Sequence, residues 1–303
     1  MTPAEHRKGV LLMIGATLCW STAGVLVRKL SLTDGWEITF WRSLFMTVFV
    51  MGVLLVQYGR TTIARIRAVG RSGVIVGALW ALMYVSFILS VGRATIANVL
   101  VLSSISPFAA ALMGGLFLHE KVPGRTLLAM IAAFAGIVLM FVESIGSGGL
   151  AGNLIALAIP LAFACNVVLL RKMHVSVDMI PTLVISGIIS MALTLPLALP
   201  IEASVKDLGL LAIMGVVQLA IGCLLMLAAT PRLKAAELGL LAVPETVFGT
   251  LSTWLVIGER PGNLALAGGL VVIAALIVNE AIGLRGKSMS PSEETAATAQ
   301  TGH

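Results

Sequence analysis

Long stretches without a single charged residue alternate with short clusters of charge along this chain. Uncharged runs occupy 9–27, 43–59, 72–92, 94–118 and 126–142 in the first half. Each is long enough for one helix crossing about 30 Å of hydrocarbon at about 1.5 Å per residue. After Glu143 the run to Leu170 opens with Gly146, Gly148, Gly149 and Gly152, a loop signature, which leaves a span over about 152–170. Further runs follow at 179–201, 208–231, 238–258 (interrupted by Glu245) and 261–279. The pattern predicts an all-α integral membrane protein of ten transmembrane helices.

Composition agrees. Of 303 residues 58% are apolar and 11% charged, against about a quarter charged in an average soluble domain, and the mean hydropathy is +1.04. A soluble enzyme, a disulfide-stapled secreted scaffold and a nucleic-acid binder are excluded. Cys19, Cys165 and Cys223 lie singly in apolar runs, with no C-x-x-C and no histidine at ligand spacing, so no metal or cofactor is expected. The net charge of +6 is read as topology. With the N-terminus in the cytoplasm, only Arg28, Lys29, Arg93, Lys206 and Arg260 fall in outer loops, whereas fourteen Lys and Arg residues fall inside. That bias favours both termini cytoplasmic. The first run follows His6, Arg7 and Lys8 as a signal peptide would, but it is longer than a typical h-region and is kept as a span.

Sliding the chain on itself by 143 sets Gly9 on Gly152 and Val27-Arg28-Lys29-Leu30 on Leu170-Arg171-Lys172-Met173. Leu118-His119-Glu120-Lys121 falls on Ile257-Gly258-Glu259-Arg260 at an offset of 139. The expected organisation is a cytoplasmic N-terminus (1–8), a first five-helix repeat (9–142), an extracytoplasmic linker (143–151), a second five-helix repeat (152–283) and a disordered cytoplasmic tail (284–303). Because five is odd, the second repeat enters the membrane from the opposite side. Two inverted repeats exchange conformations to open a shared site to either side, which is alternating access.

Trp20-Ser21, Phe40-Trp41-Arg42, Ser106-Pro107-Phe108 thirteen residues before Glu120-Lys121, and Glu245-Thr246-Val247-Phe248 ahead of Gly258-Glu259-Arg260 resemble motifs of the drug/metabolite transporter superfamily, specifically its EamA-type members. The resemblance covers residues 9–283. In that family Pro usually follows the Glu of the ninth helix; here Thr246 follows and Pro244 precedes. The resemblance implies export or exchange of small metabolites, amino acids among them, usually coupled to protons.

Glu245 lies seven residues past the start of its run and thirteen before its end, beyond snorkelling reach of water. A carboxylate there costs several kcal/mol, of the order of 3, unless it is paired, protonated or in a water-filled cavity. It is the candidate proton-coupling and substrate site, with a protonated Glu bonded to a helix carbonyl as the structural alternative. Arg42, five residues past Glu37, either snorkels outward beside Trp36 and Trp41 or turns inward to bind a substrate carboxylate or hold Glu245 ionised. Trp20, Ser21, Trp80, Tyr84, Asn98, Ser103, Ser106, Asn166 and Gln218 are further candidates for a substrate pocket, each alone equally suited to bonding helices together. Pro107 and Pro244 fall in the corresponding fourth and ninth helices as candidate kinks. Glu120-Lys121 and Glu259-Arg260 read as hairpin punctuation.

A membrane-embedded enzyme would need a nucleophile and base, or metal ligands, at depth. His6, His119, His174 and His303 all fall in loops or termini, and no G-x-S-x-G occurs. A channel would need a filter, and the loops are short. The expectation is a secondary transporter of the cell (inner) membrane, exporting an amino acid or similar metabolite with protons. Uncoupled exchange and import are the alternatives. Its partners are the small-molecule substrate, protons and the lipid bilayer, with no nucleic acid, and it acts as a monomer or a homodimer.

Overall fold

The computed structural model of the chain describes residues 3–119, 124–147, 149–172, 179–229, 232 and 235–288. Among these every regular element is helical. Six helical stretches are long and apolar enough to cross a membrane: Ala4–Arg28, Gly35–Ala68, Gly70–Val91, Ile96–Phe117, Ile180–Leu197 and Val205–Ala229. Three shorter apolar helices, Gly124–Leu139, Leu150–Asn166 and Asn263–Asn279, accompany them.

The elements in chain order are α1 (Pro3–Ser21), α2 (Ala23–Arg28), α3 (Gly35–Tyr58), α4 (Thr62–Ala68), α5 (Gly70–Val91), α6 (Ile96–Ser104), α7 (Ser106–Leu118) and α8 (Gly124–Ser147). They continue with α9 (Leu150–Ala156), α10 (Ala158–Lys172), α11 (Ile180–Thr194), α12 (Val205–Ile213), a π-helical segment (Met214–Ile221), α13 (Gly222–Ala229), α14 (Ala235–Ile257) and α15 (Asn263–Ser288). Two expected boundaries move. Most of the 143–151 linker is helical, since α8 runs to Ser147 and α9 starts at Leu150, and α15 persists past 283 to Ser288. A nucleated helix gains a hydrogen bond with each added residue, so it outruns the apolar segment that started it. The tail beyond 288 and the Glu120-Lys121 pair lie outside the described residues.

The outer surface is apolar, as lipid requires: Leu128 is 70% exposed, Phe134 67%, Leu255 75% and Leu270 68%. Inside, α3 packs on α11, α8 on α15 and α6 on α14, while α1 lies against α13 and α14 and α10 against α5 and α7. Polar side chains tie three of these pairs. The Ser43 hydroxyl donates to Ser190 at 2.8 Å between α3 and α11. Thr126 donates to Asn279 Oδ1 at 2.9 Å between α8 and α15. Thr246 donates to the Leu100 carbonyl at 3.4 Å between α14 and α6. Small residues bring backbones together. A Cβ on Gly136 would meet the Gly268 carbonyl at 2.5 Å.

One end of the bundle is tied by charge. Arg28 Nε donates to Glu259 at 2.6 Å, and Glu259 Oε1 also accepts the Ile96 N–H at 2.7 Å at the start of α6. The Glu37 carboxylate accepts from the Glu202 and Ala203 N–H groups, at 3.1 and 2.9 Å. Asp207 accepts from Ser31 N and Oγ at 2.8 and 2.6 Å, and Ser204 caps α12 by accepting the Asp207 N–H at 3.1 Å. The contacts at the other end include Arg232 to Glu5 at 2.8 Å and Arg65 over the Tyr58 ring at 4.4 Å.

Candidate functional site

Arg42 is the eighth residue of α3, about 10 Å along the helix from Gly35 at 1.5 Å per residue. Its helix face is fixed by contact with the π-helical segment. A Cβ on Gly215 would meet the Arg42 carbonyl at 2.5 Å and the Phe45 Cβ at 2.7 Å, so only glycine lets the two backbones approach this closely. The guanidinium is turned into the bundle, the side chain 1% exposed, between the rings of Tyr84 (6.0 Å) and Phe87 (5.9 Å). Cation–π attraction compensates part of the desolvation of the charge. The hydrogen-bonding capacity is left over: Arg42 Nε and Nη1 are buried with no partner among the described residues.

Around this charge the structure gathers residues from both halves. Tyr84 of α5 lies beside Cys223 of α13 and Ser186 of α11, both within hydrogen-bonding distance of its hydroxyl. Cys223 is the shared neighbour, within electrostatic reach of Arg42 and Glu245 and beside the indole of Trp20. Trp80 sits 6.0 Å from the Tyr84 ring. Trp20, Trp80, Tyr84 and Cys223 belong to one packed core with Met46 and Leu219.

Gln218, 5% exposed, stands in the π-helical segment with its Oε1 unpartnered among the described residues. A π-helix shifts the side-chain phase by inserting a residue per turn, and such segments recur at functional sites. Glu245 lies in α14 directly after Pro244 and is half-buried; it forms no hydrogen bond or ion pair with a described residue, Arg42 included. Pro244 cannot donate to the carbonyl four residues before it, which loosens α14 beside the carboxylate. Pro107 acts differently. Helix α6 ends at Ser104 and α7 begins at Ser106, so Pro107 occupies the first turn of a new helix, where its missing N–H costs nothing.

Several sequence candidates are not brought into this cluster. The hydroxyls of Ser21, Ser103 and Ser106 bond back to the carbonyls of Leu18, Val99 and Ser103, at 2.9, 2.8 and 2.6 Å. Asn98 is buried in the first turn of α6, capped by Thr95. Asn166 is buried on α10 with its Oδ1 unpartnered. Conversely Phe87 and Ser186 were not among the sequence candidates, and Cys223 was read only as a lone thiol in an apolar run. They sit in apolar runs and differ from their neighbours only by packing.

The bundle has several helices long and apolar enough to cross a membrane and, in its interior, a charge with no partner among the described residues, an arrangement found at intramembrane functional sites. The EamA-like transporter family is matched twice along the chain, over residues 7–142 and 150–280, and the chain belongs to it. It is similar to the pseudopaline exporter CntI of Pseudomonas aeruginosa in two strains, at 25% identity over 280 residues, covering 89% of this chain and 95% of CntI. The fold is shared with an experimentally solved protein structure at 15% identity and a TM-score of 0.62, covering 93% of this chain and 98% of the other.

Proposed function

We propose that this chain is a secondary transporter that moves a small metabolite out of the cell in exchange for protons, by alternating access between two inverted five-helix halves. The observation that carries the reading is the packing of Trp20 and Tyr84 from the first half with Cys223 from the second beside Arg42, with Glu245 within electrostatic reach of the same thiol and neither charge paired among the described residues. A half-buried carboxylate without a partner is a group that takes up and releases a proton at little structural cost, which is what coupling needs.

Three features support the inverted pair. The family match is itself double. Helix contacts fall into matching sets: α10 with α5 and α7 in one direction, α1 with α13 and α14 in the other. His119 and Gly258 also adopt positive φ, 56° and 80°, directly before the equivalent Glu120 and Glu259. Two five-helix halves make ten spans, and the excess of Lys and Arg in the inner loops supports cytoplasmic termini. The exporter among its relatives supports outward transport of a metabolite.

The test is reconstitution with a trapped pH dye and a panel of amino acids, nucleosides, organic acids and pseudopaline. Proton movement evoked by one compound, and lost in Glu245→Gln, supports the reading. Substrate movement with no proton component would replace it with uncoupled exchange.

A further inference from the structure

We infer that Arg42 is the anchor for a carboxylate on the transported molecule, so that the substrate class is a small carboxylate-bearing metabolite; this rests on the transporter reading above. A guanidinium carries five N–H donors in a planar fork and no acceptor. Here the fork lies in the bundle interior, 1% exposed, with Nε and Nη1 buried and unbonded. Burying a charge without a partner is among the least favourable arrangements in a protein, and the favourable completion is an anion of matching shape.

Four described carboxylates near this end of α3, those of Asp34, Glu37, Asp207 and Glu259, are already occupied. Asp34 accepts the Trp36 and Glu37 N–H groups at the start of its own helix, at 3.2 and 3.1 Å. Glu37 is held by Glu202, Ala203 and Trp41, with Trp41 Nε1 at 3.2 Å. Asp207 is held by Ser31 and Ser204, and Glu259 by Arg28 and Ile96. Glu245 forms no hydrogen bond or ion pair with the guanidinium.

The walls of the fork are consistent with a small organic acid. Tyr84 and Phe87 flank the cation with rings, leaving its N–H edge for an in-plane acceptor. Carboxylate binds the fork through two parallel hydrogen bonds; the corresponding carboxamide offers one acceptor and presents an N–H₂ to a cation.

The experiment compares matched acid and amide probes on the purified full chain in lipid nanodiscs. The pairs are leucine and leucinamide, phenylalanine and phenylalaninamide, lactate and lactamide, with ligand-induced thermal stabilisation as readout. At least one acid is expected to bind about tenfold or more tightly than its amide, a preference worth about 1.4 kcal/mol. Arg42→Gln removes the preference and Arg42→Lys, which keeps the charge, retains part of it. Ligand-free Arg42→Met melts higher than the native protein, because an unpaired buried charge is replaced by apolar volume.

Equal response to acid and amide in every pair, including none to either, overturns the inference. So does a preference that survives in Arg42→Gln, or a ligand-free Arg42→Met that melts lower. Proton flux measured on the same protein separates the two levels. Flux without acid preference removes the anchor and leaves the transporter; acid preference through Arg42 without flux of any probe removes the proton coupling and leaves the anchor.

Discussion

Arg42 and Glu245 are the residues at which this sequence departs from what a bilayer tolerates, and that contrast is why both were legible without coordinates. A charge inside an apolar run stands out; a cysteine or phenylalanine there does not. The place of Cys223 against Tyr84 and Trp20 therefore emerged only from packing. The serines show what sequence leaves open: the hydroxyls of Ser21 and Ser103 bond back to carbonyls of their own helices and that of Ser106 to the Ser103 carbonyl at the end of α6, a choice that composition does not encode. One prediction belongs at this scale. Gly215→Ala drives a methyl against the Arg42 carbonyl and the Phe45 Cβ, and backbone cannot swing aside as a side-chain tip can. The substitution is expected to cost about 1–3 kcal/mol in a thermal or denaturant melt and to disturb Arg42, whereas Gly52→Ala, with open space around it, leaves the melt unchanged.

Among the elements, the apolar runs placed the helices, but three features depend on tertiary contact. The π-helical segment between α12 and α13 leaves no mark in hydropathy. The break at Ile105, where α6 gives way to α7, sits two residues before the proline that signals it. Glu259, read as a hairpin marker, instead joins Arg28 to the first turn of α6. Arg28 and Glu259 are 28% and 19% exposed, so the ion pair itself contributes little, below about 1 kcal/mol. The acceptor for the Ile96 N–H is the stronger role. Glu259→Ala is expected to lower the melting temperature more than Glu259→Gln, which keeps a carbonyl oxygen for that amide. At the start of α12, Ser204→Ala removes the acceptor for the Asp207 N–H and a donor to its carboxylate. Loss of the cap is expected to cost about 1 kcal/mol in the same melt.

Seen as a whole molecule, the chain matches one transporter family twice, over residues 7–142 and 150–280, and that duplication was visible in the sequence. Charge clusters marked the ends of the helices, the Arg-Lys pair at 28–29 returned at 171–172, and the excess of cationic residues in alternate loops gave a direction. What hydropathy could not supply was where helix stops and loop begins once the chain leaves the membrane, since hydrogen bonding rather than lipid decides there. Reporter fusions test the direction. A periplasm-active enzyme inserted at residue 148 is expected to be active, and the same enzyme fused after residue 303 inactive, with a cytoplasm-active fluorescent protein giving the reverse. Equal activity at both sites would contradict an odd number of crossings between them.

The central claim is that substrate and proton pass through one interior site in turn. Labelled substrate and proton flux recorded together in proteoliposomes measure this most directly, in the native protein and in Glu245→Gln. The account predicts saturable fluxes that rise and fall together, faster when substrate is present on the far side, with the proton component absent from the variant. Substrate flux that neither saturates nor accelerates with far-side substrate, or proton flux undiminished in Glu245→Gln, would contradict it.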